Sequence, residues 1–150
     1  RSSIIGEAAP GHDPGSRRVD IVFHTSRTLT TKIDKIRADV YLIDASGSMA
    51  ESGASQYWSD VVSASFRPGS KIYLSIMSNC RHGQRIDRVR PNGGTEIWYS
   101  YWKVLESMRR GQTLAIISDF DANYPLSSRE SAMISARVRE KGIKVVVIRP

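Results

Sequence analysis

Short apolar runs alternate along the chain with segments of helical periodicity, and this alternation limits the possible folds more than any other pattern in the sequence. Trp58, Val62 and Phe66 recur every four residues as in an amphipathic helix, and Ser127 to Glu130 has the pattern of a capping box. Alternation of this kind predicts an α/β fold whose mostly parallel central sheet is covered by helices on both faces. The predicted core strands are Val40–Ile43, Ile72–Met77, Leu114–Ile117 and Ile143–Ile148.

The length of 150 residues fits one compact domain with a sizeable core. Residues 1–18 combine several Gly and Pro residues with little apolar periodicity, so they are predicted to form a flexible N-terminal arm or linker. Residues 19–150 are predicted to form the folded domain. Within it, Val19–Phe23 alternates as a strand does.

Composition excludes some kinds of site and favours others. Cys80 is the single cysteine, so the chain forms no internal disulfide and no Cys-based zinc site. No run approaches the roughly 20 apolar residues that a membrane span needs. Lys and Arg number 22 against 15 Asp and Glu, and the formal charge of +7 favours anionic partners. These features leave the cellular compartment open.

Polar clusters lie near the carboxyl ends of the predicted strands, where ligands bind in sheets of this type. Asp44 to Ser48 follows the first core strand, Asn92 to Thr95 precedes the second helix, and Ser118-Asp119 follows the third core strand. Their carboxylate and hydroxyl oxygens suit Mg²⁺, Mn²⁺ or Ca²⁺ better than Zn²⁺. Because two carboxylates leave no surplus negative charge around a divalent cation, the ion would keep an affinity for one more anionic ligand.

The order Asp44-x-Ser46-x-Ser48, then Gly94-Thr95, then Asp119 resembles the metal-ion-dependent adhesion site (MIDAS) of von Willebrand factor A (vWA) domains, over about residues 38–148. The resemblance implies a Rossmann-like, three-layer vWA fold that holds Mg²⁺, with Mn²⁺ or Ca²⁺ as alternatives. The serines would contact the ion directly, the threonine directly or through water, and the aspartates mostly through water. The implied metal ligands are Asp44, Ser46, Ser48, Thr95 and Asp119.

The resemblance also implies a protein-protein binding module of adhesion or assembly, with no catalytic residues, in which a partner's Asp or Glu completes the metal shell. Met49, Asn92 and Phe120 on the surrounding loops are predicted to contact that partner. Phe120 stands where the family often has Gly, and the chain ends at Pro150, where family members usually continue with a strand and a helix. The fold is therefore expected to be minimal, with Val19–Phe23 as an extra strand, or truncated at its C-terminus.

Two other function classes stay open. The net charge of +7 permits a basic nucleic-acid-binding domain whose metal site is structural or vacant. Metal-assisted hydrolysis ranks last, because no general base or phosphate-cradling loop accompanies the oxygen donors. The segment Asn79 to Arg90 is basic and is predicted to form either a solvated edge or an anion-binding patch.

Overall fold

The computed structural model describes residues 13–22, 28–33, 36–50, 54–76, 79–82, 97–120 and 127–149, and these form an α/β fold with a seven-stranded mixed sheet and three α-helices. The predicted α/β class is confirmed. The strands are β1 (Arg18–Val22), β2 (Thr28–Lys32), β3 (Val40–Asp44), β4 (Lys71–Ile76), β5 (Asn79–His82), β6 (Thr113–Ile117) and β7 (Lys144–Arg149), and the helices are α1 (Ala54–Ser65), α2 (Ile97–Ser107) and α3 (Ser128–Lys141).

The strand order is β2-β1-β7-β6-β3-β4-β5, and the four predicted core strands β7, β6, β3 and β4 lie side by side in parallel. The outer strands are antiparallel to their neighbours, so the sheet is mixed. Only residues 77 and 78 separate β4 from β5 along the chain, too few for the crossover that a parallel pair needs. The predicted strand Val19–Phe23 is confirmed over Val19–Val22 as part of β1, which pairs with β7, and Phe23 lies outside the described residues.

Helices cover both faces of the parallel core. On one face Trp58 and Val62 of α1 pack against Tyr41 and Ile43 of β3 in one apolar cluster. On the other face a second cluster joins Val40 and Leu42 of β3 with α2 and α3, through Ile97, Tyr101, Val104, Leu105 and Ile134. Alternate residues of β3 thus point to opposite faces, and every residue of the strand is buried.

Local sequence signals fix the ends of α3. The Ser127 hydroxyl accepts from the Glu130 amide, and the Glu130 carboxylate accepts from the Ser127 amide, so the predicted capping box is present. These hydrogen bonds lower the pKa of Glu130. At the other end Gly142 has φ +58°, a left-handed conformation that glycine adopts without strain. The adjacent Lys141 amine donates to carbonyls at the end of α2, which ties the two helices together.

The segment before β1 contacts α1. Pro14–Ser16 forms a 3-10 turn, and Arg17 donates from Nε to the buried Asp60 carboxylate at 2.6 Å. Residues 1–12 of the predicted arm lie outside the described residues. Among the helices that the structure describes, none has both the length and the apolar character that crossing a membrane requires.

Candidate metal centre

Oxygen-bearing side chains meet at the carboxyl edge of the parallel core. Register places Ser75 of β4 beside Asp44 of β3, and because Ile43 pairs with Ile117, Ser118 follows on the other side of Asp44. The side chains of Asp44 and Ser118 are fully buried, and Ser46 is 1% exposed. This edge therefore carries buried polar groups next to the mostly apolar strands of the parallel core.

The Asp44 carboxylate is held by three hydrogen bonds. Its Oδ1 accepts from the Ser46 amide at 2.9 Å and from the Ser46 hydroxyl at 2.6 Å, and its Oδ2 accepts from the Ser118 hydroxyl at 2.5 Å. These donors are neutral, and none of the ion pairs among the described residues involves Asp44. A buried carboxylate with neutral partners is the kind of group that a nearby cation stabilises.

A short turn carries Ser48 toward Asp119. Gly47–Met49 forms a 3-10 turn that begins after Ser46, and it leaves the Ser46 and Ser48 hydroxyl oxygens 3.2 Å apart. The Ser48 hydroxyl lies 3.5 Å from Oδ1 of Asp119. Both spacings exceed the usual hydroxyl-to-oxygen hydrogen-bond length of about 2.7 Å. The four side chains Asp44, Ser46, Ser48 and Asp119, hereafter the candidate metal centre, thus form one continuous group of oxygens.

The oxygen spacings can be compared with those around a cation. Adjacent ligands in an octahedron of radius about 2.1 Å, as for Mg²⁺, are roughly 3.0 Å apart, and at the 2.3–2.6 Å typical of Ca²⁺ they are roughly 3.3–3.7 Å apart. The 3.2 Å between the Ser46 and Ser48 hydroxyls and the 3.5 Å between Ser48 and Asp119 lie in this range. The donors present therefore fit a hard divalent cation in spacing and in chemistry.

The loop after β6 adopts an unusual conformation at Phe120. Its φ of +56° lies in the left-handed region, where a residue with a side chain pays about 1–2 kcal/mol relative to glycine. The Phe120 amide donates to the Ser118 hydroxyl at 2.8 Å, and its ring packs on Trp98 with the ring centroids 5.0 Å apart. A hydrogen bond and a ring contact thus hold this loop beside Asp119, with the Phe120 side chain half-buried.

The structure brings together Asp44, Ser46, Ser48 and Asp119 from the predicted ligand set. Thr95, the fifth predicted ligand, and Asn92, a predicted partner contact, lie outside the described residues. Met49 is 2% exposed and packs in the cluster on the α1 face. Its side chain is a core residue and offers no surface to a partner, which corrects the prediction made for it.

From sequence, Ser118 belongs to a polar cluster but receives no role, and Ser75 and Ser100 are not singled out. Ser118 donates to the carboxylate, while Ser75 accepts from the buried Ser100 hydroxyl at 2.9 Å and its carbonyl accepts from the Ala45 amide. Ser75 is a serine inside the apolar run Ile72–Met77, and this is the sequence signal that could have pointed to it. Strand register places Ser75 beside Asp44, the last residue of the neighbouring strand.

Neither a model of a known protein family nor any curated protein matches this sequence. Within the part of the chain that the structure describes, no three His, Cys, Asp or Glu side chains group as metal ligands. The candidate metal centre contains two carboxylates and two hydroxyls. Support for a cation there comes from the spacing and the chemistry of these oxygens.

Proposed function

We propose that this chain is a vWA-like domain that binds a divalent cation, Mg²⁺ first among the candidates, and uses it to bind an acidic residue of a partner protein. The observation that carries the proposal is the convergence of Asp44, Ser46, Ser48 and Asp119 at one strand edge. The Ser48 hydroxyl lies at spacings typical of adjacent metal ligands from both the Ser46 hydroxyl and the Asp119 carboxylate. The parallel core with α1 on one face and α2 and α3 on the other supports a Rossmann-like, three-layer vWA fold.

Asp44 prepares Ser46 to act as a ligand. Because the Ser46 hydroxyl donates its proton to Asp44, its oxygen lone pairs are directed away from the carboxylate and remain available to a cation. The Ser48 side chain is half-buried and lies next to Asp119. The two carboxylates would balance the charge of a divalent ion without surplus negative charge, and the two hydroxyls would add neutral ligands. The bound cation would then supply Lewis-acid attraction for one more anionic group.

In this proposal the partner supplies that anionic group as an Asp or Glu side chain. Thr95 is the proposed fifth ligand, and Asn92 and Phe120 are the proposed neighbouring contacts. The half-buried Phe120 ring lies one residue beyond Asp119, which supports a partner contact adjoining the metal. The proposed role is binding without catalysis, and Mn²⁺ or Ca²⁺ are the alternative ions.

Thermal unfolding with Mg²⁺, Mn²⁺, Ca²⁺ or EDTA tests the cation site. A ligand at about 100 times its Kd stabilises the folded chain by about 2.7 kcal/mol, a rise in Tm on the order of 5–10 °C. The isosteric variant Asp44→Asn should lose the rise. The control Asp39→Asn changes an exposed aspartate just before the same strand and should keep it.

Equal melting temperatures with every ion and with EDTA would contradict the proposed cation site. A rise that survives in Asp44→Asn would place the ion elsewhere in the chain. The acidic partner is represented by acetate, the simplest carboxylate. Acetate should raise Tm further in Mg²⁺ but not in EDTA, with chloride at equal ionic strength as the reference.

A further inference from the structure

The turns at the opposite edge of the parallel core are basic. They precede β3, β4, β6 and β7 and lie at the amino ends of these strands, away from the candidate metal centre. Exposed Lys and Arg side chains lie in these turns or in the ends of the helices and strands that they join. We call this surface the basic edge, and its exposed bases are Arg37, Arg67, Lys71, Arg109, Arg110, Arg139 and Lys144.

Backbone hydrogen bonds join the four turns into one rigid surface. The Lys71 amide donates to the Asp39 carbonyl at 3.0 Å, the Asp39 amide to the Thr113 carbonyl at 2.9 Å, and the Lys144 amide to the Gln112 carbonyl at 3.1 Å. Lys71 and Lys144 lie three strand spacings apart in the sheet, about 14 Å. The bases therefore form a fixed row that can contact several phosphates at once.

The exposed acidic side chains Asp39 and Glu140 lie near this surface and offset part of its positive charge. The Asp39 carboxylate accepts from the Thr113 amide at 2.8 Å, and Glu140 pairs with Arg137 at 3.6 Å. A cleft of about 110 Å³ opens between the turns, and its lining includes the cationic Lys71 and Arg109 together with the Asp39 carboxylate. Two cations thus face this cleft beside one anion.

We propose that the basic edge binds the phosphate backbone of double-stranded nucleic acid without reading its sequence. Five of its seven exposed bases are arginines, whose planar guanidinium pairs with phosphate through two parallel hydrogen bonds. The exposed large apolar side chains of the described residues are Leu29, Tyr99 and Met133, and none belongs to these turns. The basic edge thus presents no fully exposed large apolar side chain to unpaired bases or to a lipid surface, and Tyr73 in its cleft is half-buried.

Fluorescence anisotropy with a labelled DNA duplex of mixed sequence tests this proposal. The triple variant Lys71→Gln, Arg109→Gln, Lys144→Gln removes three bases from the basic edge. The matched control Arg18→Gln, Lys32→Gln, Arg129→Gln removes three exposed bases elsewhere, so both variants fall from +7 to +4. Circular dichroism melting of all three proteins establishes that they are folded under the conditions of the assay.

If each lost base makes one phosphate contact, the slope of log K against log salt should fall by about 2.7 in the basic-edge variant, and affinity near 0.1 M salt should fall on the order of 500-fold. The control should lose less than about tenfold, because only long-range attraction changes. EDTA should not weaken duplex binding, and Asp44→Asn should leave it unchanged, which separates this surface from the candidate metal centre.

Three results would overturn the proposal. They are absence of duplex binding by the wild type at low salt, equal losses in the two triple variants, and binding to phosphatidylserine vesicles without binding to duplex DNA. The second result would mean that net charge and not this surface attracts the duplex. The third would assign the basic edge to a membrane.

Discussion

Ser118→Ala should destabilise the fold through the candidate metal centre even when no cation is bound. The Ser118 hydroxyl is fully buried, donates to Oδ2 of Asp44 at 2.5 Å and accepts from the Phe120 amide at 2.8 Å. Alanine fits the same space but removes both interactions. Oδ2 of a buried carboxylate then loses its described donor, and the strained Phe120 loses one of the contacts that hold its loop.

The expected loss follows from these two bonds. A hydrogen bond to a charged group contributes about 1.5–3 kcal/mol and one between neutral groups about 0.5–1.5 kcal/mol, so Ser118→Ala should lower the free energy of unfolding by about 2–4 kcal/mol. For a chain of this length, that change lowers Tm on the order of 10 °C. Because Asp44 and Ser118 are both fully buried, solvent screening does not reduce the figure.

Urea unfolding in EDTA, followed by circular dichroism, measures the loss without a contribution from bound metal. The matched control is Ser100→Ala, which removes an equally buried hydroxyl that donates to the neutral Ser75 hydroxyl. It should lower the free energy of unfolding by about 1 kcal/mol. The reasoning is refuted if the two variants have equal stability, since the charge on Asp44 would then contribute nothing to its bond with Ser118.

Two further predictions concern other parts of the fold. Lys141→Met should lower the free energy of unfolding by about 2 kcal/mol, because the Lys141 amine donates to the carbonyls of Leu105, Glu106 and Met108 at the end of α2. Urea titration should show no comparable change in Lys144→Met, whose side chain is exposed, and equal losses would exclude the capping role. Burial raises the pKa of the Cys80 thiol, so iodoacetamide at pH 8 should alkylate it more slowly in the folded chain than in urea. Mass spectrometry follows both rates, and equal rates would contradict the protection.

The core of the fold could be predicted from sequence because its signals are local. The apolar run Val40–Ile43 and the polar Asp44 after it mark a strand that is buried on both faces and ends at the sheet edge. The capping box at Ser127 and the glycine at 142 likewise fix the ends of α3 by interactions within a few residues. Short-range patterns of this kind need no knowledge of the rest of the chain.

The remaining features depend on contacts between distant residues. Ser118 and Asp44 are 74 positions apart, and only strand register brings them together. Met49 follows the serine motif directly and was predicted to be a surface contact, but the 3-10 turn directs its side chain into the core. The edge strand β5 is short and mostly exposed, so it lacks the apolar run that marked the central strands. Sequence periodicity does not show which distant residues meet, where a turn directs a side chain, or where a short exposed strand lies.

The two proposed binding surfaces lie at opposite ends of the same strands, and this separation makes their roles independent. The five residues of β3 span roughly 16 Å between the basic edge and the candidate metal centre. That distance is too great for a basic-edge side chain to contact an ion bound at the candidate metal centre. Cation binding should therefore tolerate loss of Lys71, Arg109 and Lys144. A chelator that abolished duplex binding would contradict this separation and would place nucleic acid and metal at one surface.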